Sequence, residues 1–244
     1  MIAIYKRDLS LFFSSLIGPL IIAFFLLINN LILWSDFSHF NILENSYASM
    51  NSFFSIAPIL FLLLIPAISM KTFSEEYQSG TIEILLTKPV SNYEIVLGKY
   101  FAILTIIFFS ICFTFSSVIT VYFLGEKTGN IDLAATFGSY LGLFLISSLF
   151  ISICVFSSSL SKNQISSFFI GLIISTFFYF GFSQLSDIVF LQSIDLYIQK
   201  LGVSYHYRFM SKGLLLVSNF VYFITVNFLF LFLSTVVITK RNHK

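Results

Sequence analysis

The chain is short of charge. Only 10% of its 244 residues are Asp, Glu, Lys or Arg, where ordinary soluble domains carry about 25%. With 57% of the chain hydrophobic, a water-soluble globule of this size could not hide its apolar surface, which leaves an integral membrane protein. Cysteine is equally scarce. Cys112 and Cys154 both lie in apolar runs, so a disulfide framework is excluded and two buried small side chains are expected instead. The three histidines, His39, His206 and His243, are far apart, and each reads as a lone solvated side chain. The sequence contains no G-x-x-x-x-G-K-S/T, no H-E-x-x-H and no G-x-S-x-G. These absences exclude a P-loop, a zincin centre and a nucleophile elbow, and neither a catalytic residue nor a metal site is expected. A net charge of +2 without a basic cluster argues against a nucleic-acid partner. The 33 Phe and 12 Tyr read as packing in lipid.

Long apolar runs, in contrast, are plentiful. Six windows free of Asp, Glu, Lys and Arg cover about 12–34, 53–70, 100–124, 136–160, 164–185 and 214–239. A bilayer core needs about 20 apolar residues in a helix, so the expected fold is a single all-α transmembrane domain over 1–244 with six spans. The first window is too long for a signal peptide and is kept as a span. Carboxylates and amines are absent from the windows, so a proton relay has nothing to work with. Asn29, Asn30 and the Ser- and Thr-rich faces of the third and fourth windows read as helix–helix contacts.

Loop charge sets the orientation. With both termini in the cytoplasm, the inner side holds Lys6, Arg7, Lys71, Lys88, Lys99, Lys162, Lys240, Arg241 and Lys244, and the outer side only Lys127, Lys200, Arg208 and Lys212. Nine against four is the sense the positive-inside rule requires. The first residues, MIAIYKRDLSLFF, suggest a short amphipathic helix on the inner leaflet. The last outer segment, 186–213, is interrupted by Asp187, Asp195 and Lys200. Its stripe of Leu191, Ile194, Ile198 and Leu201 fits either an interfacial helix or a re-entrant hairpin.

Charge gathers in one place, KTFSEEYQSGTIEILLTKPVSNYEIVLGK at 71–99, with Lys71, Glu75, Glu76, Glu83, Lys88, Glu94 and Lys99. Seven charges in hydrocarbon would cost on the order of 20 kcal/mol, so the segment is expected in water. Thr72 with Glu75, and Ser91 with Glu94, have capping-box spacing, and Val90 and Ile95 are placed as a hydrophobic staple for the second box. Gly80 breaks the chain, Thr81 can restart it, and Pro89 stops it. A short helix with Ile82, Leu85 and Leu86 on one face is thus held between two capped helices. Such a face needs a cover, which could be lipid, the chain's own helices or another protein.

The stretch TFSEEYQSGTIEILLTKPVSNYEIVLGKY resembles the cytoplasmic signature of ABC-2-type transporter permeases: an acidic pair, G-T-x-E-x-L-L, a proline, then G-K entering the third helix. Further stretches, among them NILENSYASMNSFF, GNIDLAATFGSYLGL and LGVSYHYRFMSKG, are similar to the gliding-motility-associated (GldF) branch of Bacteroidetes. The resemblance implies a multi-pass subunit of the bacterial inner membrane, part of an exporter and not itself an enzyme. Two copies of a separate cytoplasmic ATPase would bind ATP and Mg²⁺, leaving this chain without a cofactor. The second permease would be a related chain with a large outer domain, or a second copy, and membrane lipids would surround both. Coupling to the ATPase falls on Glu75, Glu76, Gly80, Thr81, Glu83, Leu85, Leu86 and Pro89, with a second contact at Ser161, Lys162, Asn163 and Gln164. The outer hairpin, with Tyr205, His206, Tyr207, Arg208, Lys212 and Gly213, would line or close the exit. The alternative is a membrane scaffold of a surface-motility or envelope machine that transports nothing.

Overall fold

A computed structural model describes residues 1–35, 42, 49–86, 90–125, 129–187 and 194–242. Among these the regular elements are all helical. The N-terminal pair is α1 (Ile2–Ser14) and α2 (Ile17–Trp34). Then come α3 (Asn51–Ser69), α4 (Lys71–Gln78) and α5 (Thr81–Leu86), followed by α6 (Asn92–Phe113) and α7 (Phe115–Leu124). The central helix α8 (Leu133–Leu160) turns into α9 (Gln164–Thr176), a π-helical turn (Phe177–Gly181) and α10 (Phe182–Ser186). Two short helices, α11 (Asp195–Gln199) and α12 (Val203–Met210), precede α13 (Val217–Asn242).

Among the described residues, five stretches are long and apolar enough to cross a bilayer: Asn51–Gln78, Asn92–Leu124, Leu133–Leu160, Gln164–Ser186 and Val217–Arg241. A sixth is counted if the α1–α2 pair, bent by 68°, is one broken span. The expected first span, 12–34, takes in the end of α1, the bend and all of α2. The Ser14 and Ser15 hydroxyls turn back onto the Leu11 and Phe12 carbonyls, and Pro19 occupies the first turn of α2, where its missing N–H costs nothing.

Helix α8 forms the axis. Of its apolar window 78% is buried, against 22% for the window in Gln164–Ser186, and it packs on α3, α4, α6, α9, α12 and α13. Its serines make this possible. Ser147, Ser152, Ser157 and Ser159 each donate to a carbonyl one turn back, so small polar side chains face their neighbours without an unmet donor. Ser157 also donates to the Ser167 carbonyl of α9 at 3.0 Å. Both cysteines are free, with Cys154 buried in this seam.

Chain direction places α1, α4, α5 and the turn at 161–163 at one end of the bundle, and α11 and α12 at the other. Where it is described, the stripe read at Leu191, Ile194, Ile198 and Leu201 does not pack on the bundle, and its residues are left free for lipid. Leu191 lies outside the described residues, Ile194 and Leu201 are exposed, and α11 stops at Gln199, short of Leu201. The buried face belongs instead to α12, with Val203, His206, Tyr207 and Met210 at i, i+3, i+4 and i+7. It reaches α8 through glycine: a Cβ on Gly138 would run into the Met210 carbonyl oxygen, and one on Gly142 would lie 2.9 Å from the Tyr207 ring. Gly138→Leu is therefore expected to lift α12 off the bundle and cost about 1–3 kcal/mol by overpacking. A thermal melt of the detergent-solubilised variant, with Ala as the milder step, measures this; an unchanged transition would contradict the packing.

Candidate functional site

The charged segment is more helical, and less wet, than its composition suggests. Helix α4 follows α3 after Met70 alone, so Thr72 caps nothing, and the first of the two expected capping boxes is absent. Its hydroxyl donates to the Ser69 carbonyl at 2.7 Å. The amides that a free helix start would leave over are met from α8, where Ser158 Oγ accepts from Phe73 N at 3.0 Å and Ser74 N at 3.2 Å. The same hydroxyl donates to the Met70 carbonyl at 3.1 Å. The second box forms as the spacing predicts. Ser91 Oγ accepts from Glu94 N at 3.3 Å, and Glu94 Oε2 accepts from Ser91 N at 3.1 Å.

Between them the chain breaks at Gly80, whose φ of +71° is the left-handed region that glycine tolerates best. Helix α5 begins at Thr81, with Thr81 and Glu83 exposed. Ile82 is buried in the chain's own core, so it is not free to anchor a partner: of the three covers its apolar face could have had, Ile82 takes the chain's own helices. The side chains of Leu85 and Leu86, and all of Pro89, lie outside the described residues.

The expectation that all seven charges face water fails at Lys99, whose side chain is 2% exposed. Its ammonium sits 3.3 Å from Asp8 Oδ2 and 3.0 Å from Glu76 Oε1, donates to the Thr72 carbonyl at 2.6 Å, and lies 5.0 Å from the centre of the Phe73 ring. Arg7 closes the ring of charge, 2.8 Å from Asp8 and 2.6 Å from Glu76. Two cations and two carboxylates thus tie α1, α4 and α6 together. Tyr5 adds a hydroxyl contact to Thr105 at 3.1 Å. Glu76, one of the acidic pair, is engaged within the chain, whereas its neighbour Glu75 is exposed. Nothing local signalled the cluster, because its members come from three separate helices.

The second turn is equally well made. Ser161 donates to the Asn163 carbonyl at 2.7 Å, and Asn163 Oδ1 caps α9 through Ile165 N at 3.0 Å. Lys162 and Asn163 are exposed, Gln164 is half-buried, and Ser161 is buried. Arg241 of α13 donates to the Leu160 carbonyl and covers the Tyr77 ring of α4, 4.6 Å from its centre. Two exposed turns, one after α4 and one after α8, therefore stand at one end of an apolar bundle and are joined inside it through Ser158.

Comparison with protein families matches ABC-2 family transporter proteins over residues 7–241. The chain belongs to that family. No curated protein matches it. As a member it is a membrane permease component of an ABC transporter.

At the permease's opposite end the outer-hairpin residues divide. Arg208 and Lys212 are exposed, Tyr205 and Gly213 are half-buried, and His206 and Tyr207 are buried. His206 is thus not the solvated side chain its sequence context suggests. Its Nδ1 is 2.9 Å from Asn219 Oδ1, its Nε2 is 2.8 Å from the Lys200 carbonyl, and its ring stacks on Tyr222 at 4.1 Å. No local signal marked it, because its partners Asn219 and Tyr222 come from α13. Tyr207 donates to the Phe54 carbonyl at 2.7 Å, and burial pushes its phenol well above the ordinary range, so it stays a donor. His39 and His243 lie outside the described residues. Among those described, no group of three or more His, Cys, Asp or Glu is placed to hold a metal ion.

Removing the central cation tests the ion cluster. Lys99→Met keeps the stem but leaves two half-buried carboxylates to Arg7, so stability should fall by about 3–5 kcal/mol. Adding Glu76→Gln should restore part of the loss. Thermal unfolding of the single and double variants measures the coupling; additive losses would mean that the two residues do not interact.

Proposed function

We propose that this permease is the membrane half of an exporter worked from the cytoplasm by a separate ATPase, with the α4–α5 turn as the principal seat of that motor and the turn at 161–164 as the second. The observation that carries the reading is the construction of the first turn. A six-residue helix, seated on the core through Ile82 and exposed at Thr81 and Glu83, is held between α4, stitched to α8, and α6, which starts with a closed capping box. A flexible linker would need none of this. An element so anchored can pass a push to the spans as a rigid-body tilt.

In this reading Thr81 and Glu83, exposed on α5, meet the motor first, with Glu75 beside them, and the acidic side chains set register by charge. Leu85, Leu86 and Pro89 complete the docking element. ATP and Mg²⁺ are bound by the motor, in two copies. A second permease, a related chain with a large outer domain or another copy of this one, completes the pathway. The α12 hairpin, with Tyr205 and Arg208 on its open side, closes the outer mouth. The likeness to the gliding-motility branch supports an inner-membrane assembly that serves motility or envelope export, and the nine-to-four bias of Lys and Arg supports a cytoplasmic position for the α4–α5 end.

Two measurements test this. Leu85→Asp places a charge in the docking element and should abolish co-purification with the ATPase while membrane insertion is retained; undiminished co-purification would remove α5 from the interface. Single cysteines at Gly80 and Lys212 should be labelled from opposite sides by an impermeant maleimide. Labelling of Gly80→Cys from outside intact cells would overturn the orientation and the motor seat with it.

A further inference from the structure

Beside the ion cluster, under α1, lies a half-open cleft of about 560 Å³. Its two ends differ. One is apolar, walled by Leu11 and Phe12 of α1, Ile21 of α2, Ile68 of α3, and Ile103 and Ile106 of α6. The other is charged, with Arg7, Lys71 and Lys99 set against Asp8, Glu75 and Glu76. A cleft that is greasy at one end and ionic at the other, at the end of the spans, matches an amphiphile lying across the interface between headgroups and acyl chains.

The charges narrow the amphiphile. Three cations and three carboxylates balance, so a ligand with net charge would leave the cleft unbalanced in a partly desolvated site, whereas a zwitterion would not. The ion cluster uses Arg7, Asp8, Lys99 and one oxygen of Glu76. Left over are Lys71 and Glu75, neighbours on α4 at i and i+4, a cation and a carboxylate that line the cleft outside the ion cluster. At the edge of an apolar cleft such a carboxylate is stabilised by a ligand that brings an N–H, and the ammonium beside it by one that brings a phosphate oxygen.

We propose that the cleft binds a zwitterionic aminophospholipid of the phosphatidylethanolamine class. Its ammonium donates to Glu75, its phosphate meets Lys71 with Arg7 at the rim, and its upper acyl chains run along Ile21, Ile103 and Ile106. Phosphatidylcholine has the same net charge but no N–H to give, and phosphatidylglycerol has hydroxyl donors but a net negative charge. The lipid holds α1 against α4 and α6 from the side the ion cluster leaves open. This inference stands on the membrane-spanning fold alone and does not require the motor reading.

The full-length chain, purified and stripped of lipid in a mild detergent, is melted while phosphatidylethanolamine, phosphatidylcholine or phosphatidylglycerol is titrated in, with water-soluble glycerophosphoethanolamine as a fourth arm. The rise in melting temperature with lipid gives an apparent affinity. We expect phosphatidylethanolamine to bind at least roughly tenfold more tightly than the other two lipids, as fits one charge-assisted hydrogen bond, and glycerophosphoethanolamine to stabilise far less. Lys71→Ala and Glu75→Gln, neither of which belongs to the ion cluster, should each erase most of that preference while barely moving the lipid-free melting point. Equal stabilisation by phosphatidylcholine, a preference for phosphatidylglycerol, or full stabilisation by the soluble headgroup would each overturn the proposal. Should either variant fail to fold, the comparison of lipids on the unaltered chain still decides.

Discussion

A single ammonium group, sealed at the start of a membrane helix, organises one end of this molecule. Lys99 is 2% exposed, and an amine so far from water is tolerable only when carboxylates and carbonyls replace its hydration. Four groups do so: Asp8, Glu76, the Thr72 carbonyl and the face of Phe73. Because Asp8 comes from α1 and the other three from α4, satisfying Lys99 fixes where both helices lie on α6. The amphipathic first helix is thereby held to the bundle by more than its greasy face, and α4 cannot swing away from α6 without exposing unpaired charge.

The other half of the constraint is neutral. Between α3 and α4 the helical hydrogen bonding is interrupted at Met70, and any such break inside an apolar bundle leaves amides that no water can reach. Ser158 takes two of them. Its own helix, α8, is the one most other helices touch, so the repair also ties the break to the axis of the fold. Two residues further on, α8 ends and the exposed turn at 161–164 begins. The two turns at this end therefore share a mechanical root in one hydroxyl, although they are far apart in sequence.

What could be read from the residues alone follows this division between local and distant. The helical class and the approximate spans were legible because hydrocarbon thickness sets a minimum apolar length, and the windows meet it one after another. The break at Gly80, the restart at Thr81 and the box at Ser91 and Glu94 were legible because each is decided within four residues. The failures were all decided by partners elsewhere. Thr72 has cap spacing but no free helix end, since Ser158 supplies what a cap would have supplied. Lys99 and Glu76 look like water-facing charges until Arg7 and Asp8 are brought over them by α1. His206 looks solvated until α12 sets it against Asn219 and Tyr222. Ile82 looks like an exposed anchor until the core beside α4 covers it. Segment charge count and local spacing carry no information about such partners.

The two ends of the bundle also differ in how they are joined, and that difference bears on how motion could cross it. At the α1–α4 end the contacts are ionic and hydroxylic, with side chains that reach across gaps and leave a cleft beside them. At the α12 end they are steric: Gly138 and Gly142 let backbone and ring approach α8 at van der Waals distance, and Tyr207 pins the hairpin to α3. Ionic contacts can exchange partners with little change in spacing, whereas close steric contacts at glycine leave little room for one helix to shift on the other. A displacement applied to α4 would therefore reach α8 through Ser158 as a translation or tilt, and α12, fitted to the same helix without slack, would have to move with it. The α12 end would follow because it is packed on the axis that the α4 end is stitched to, and no separate relay through the bundle would be required.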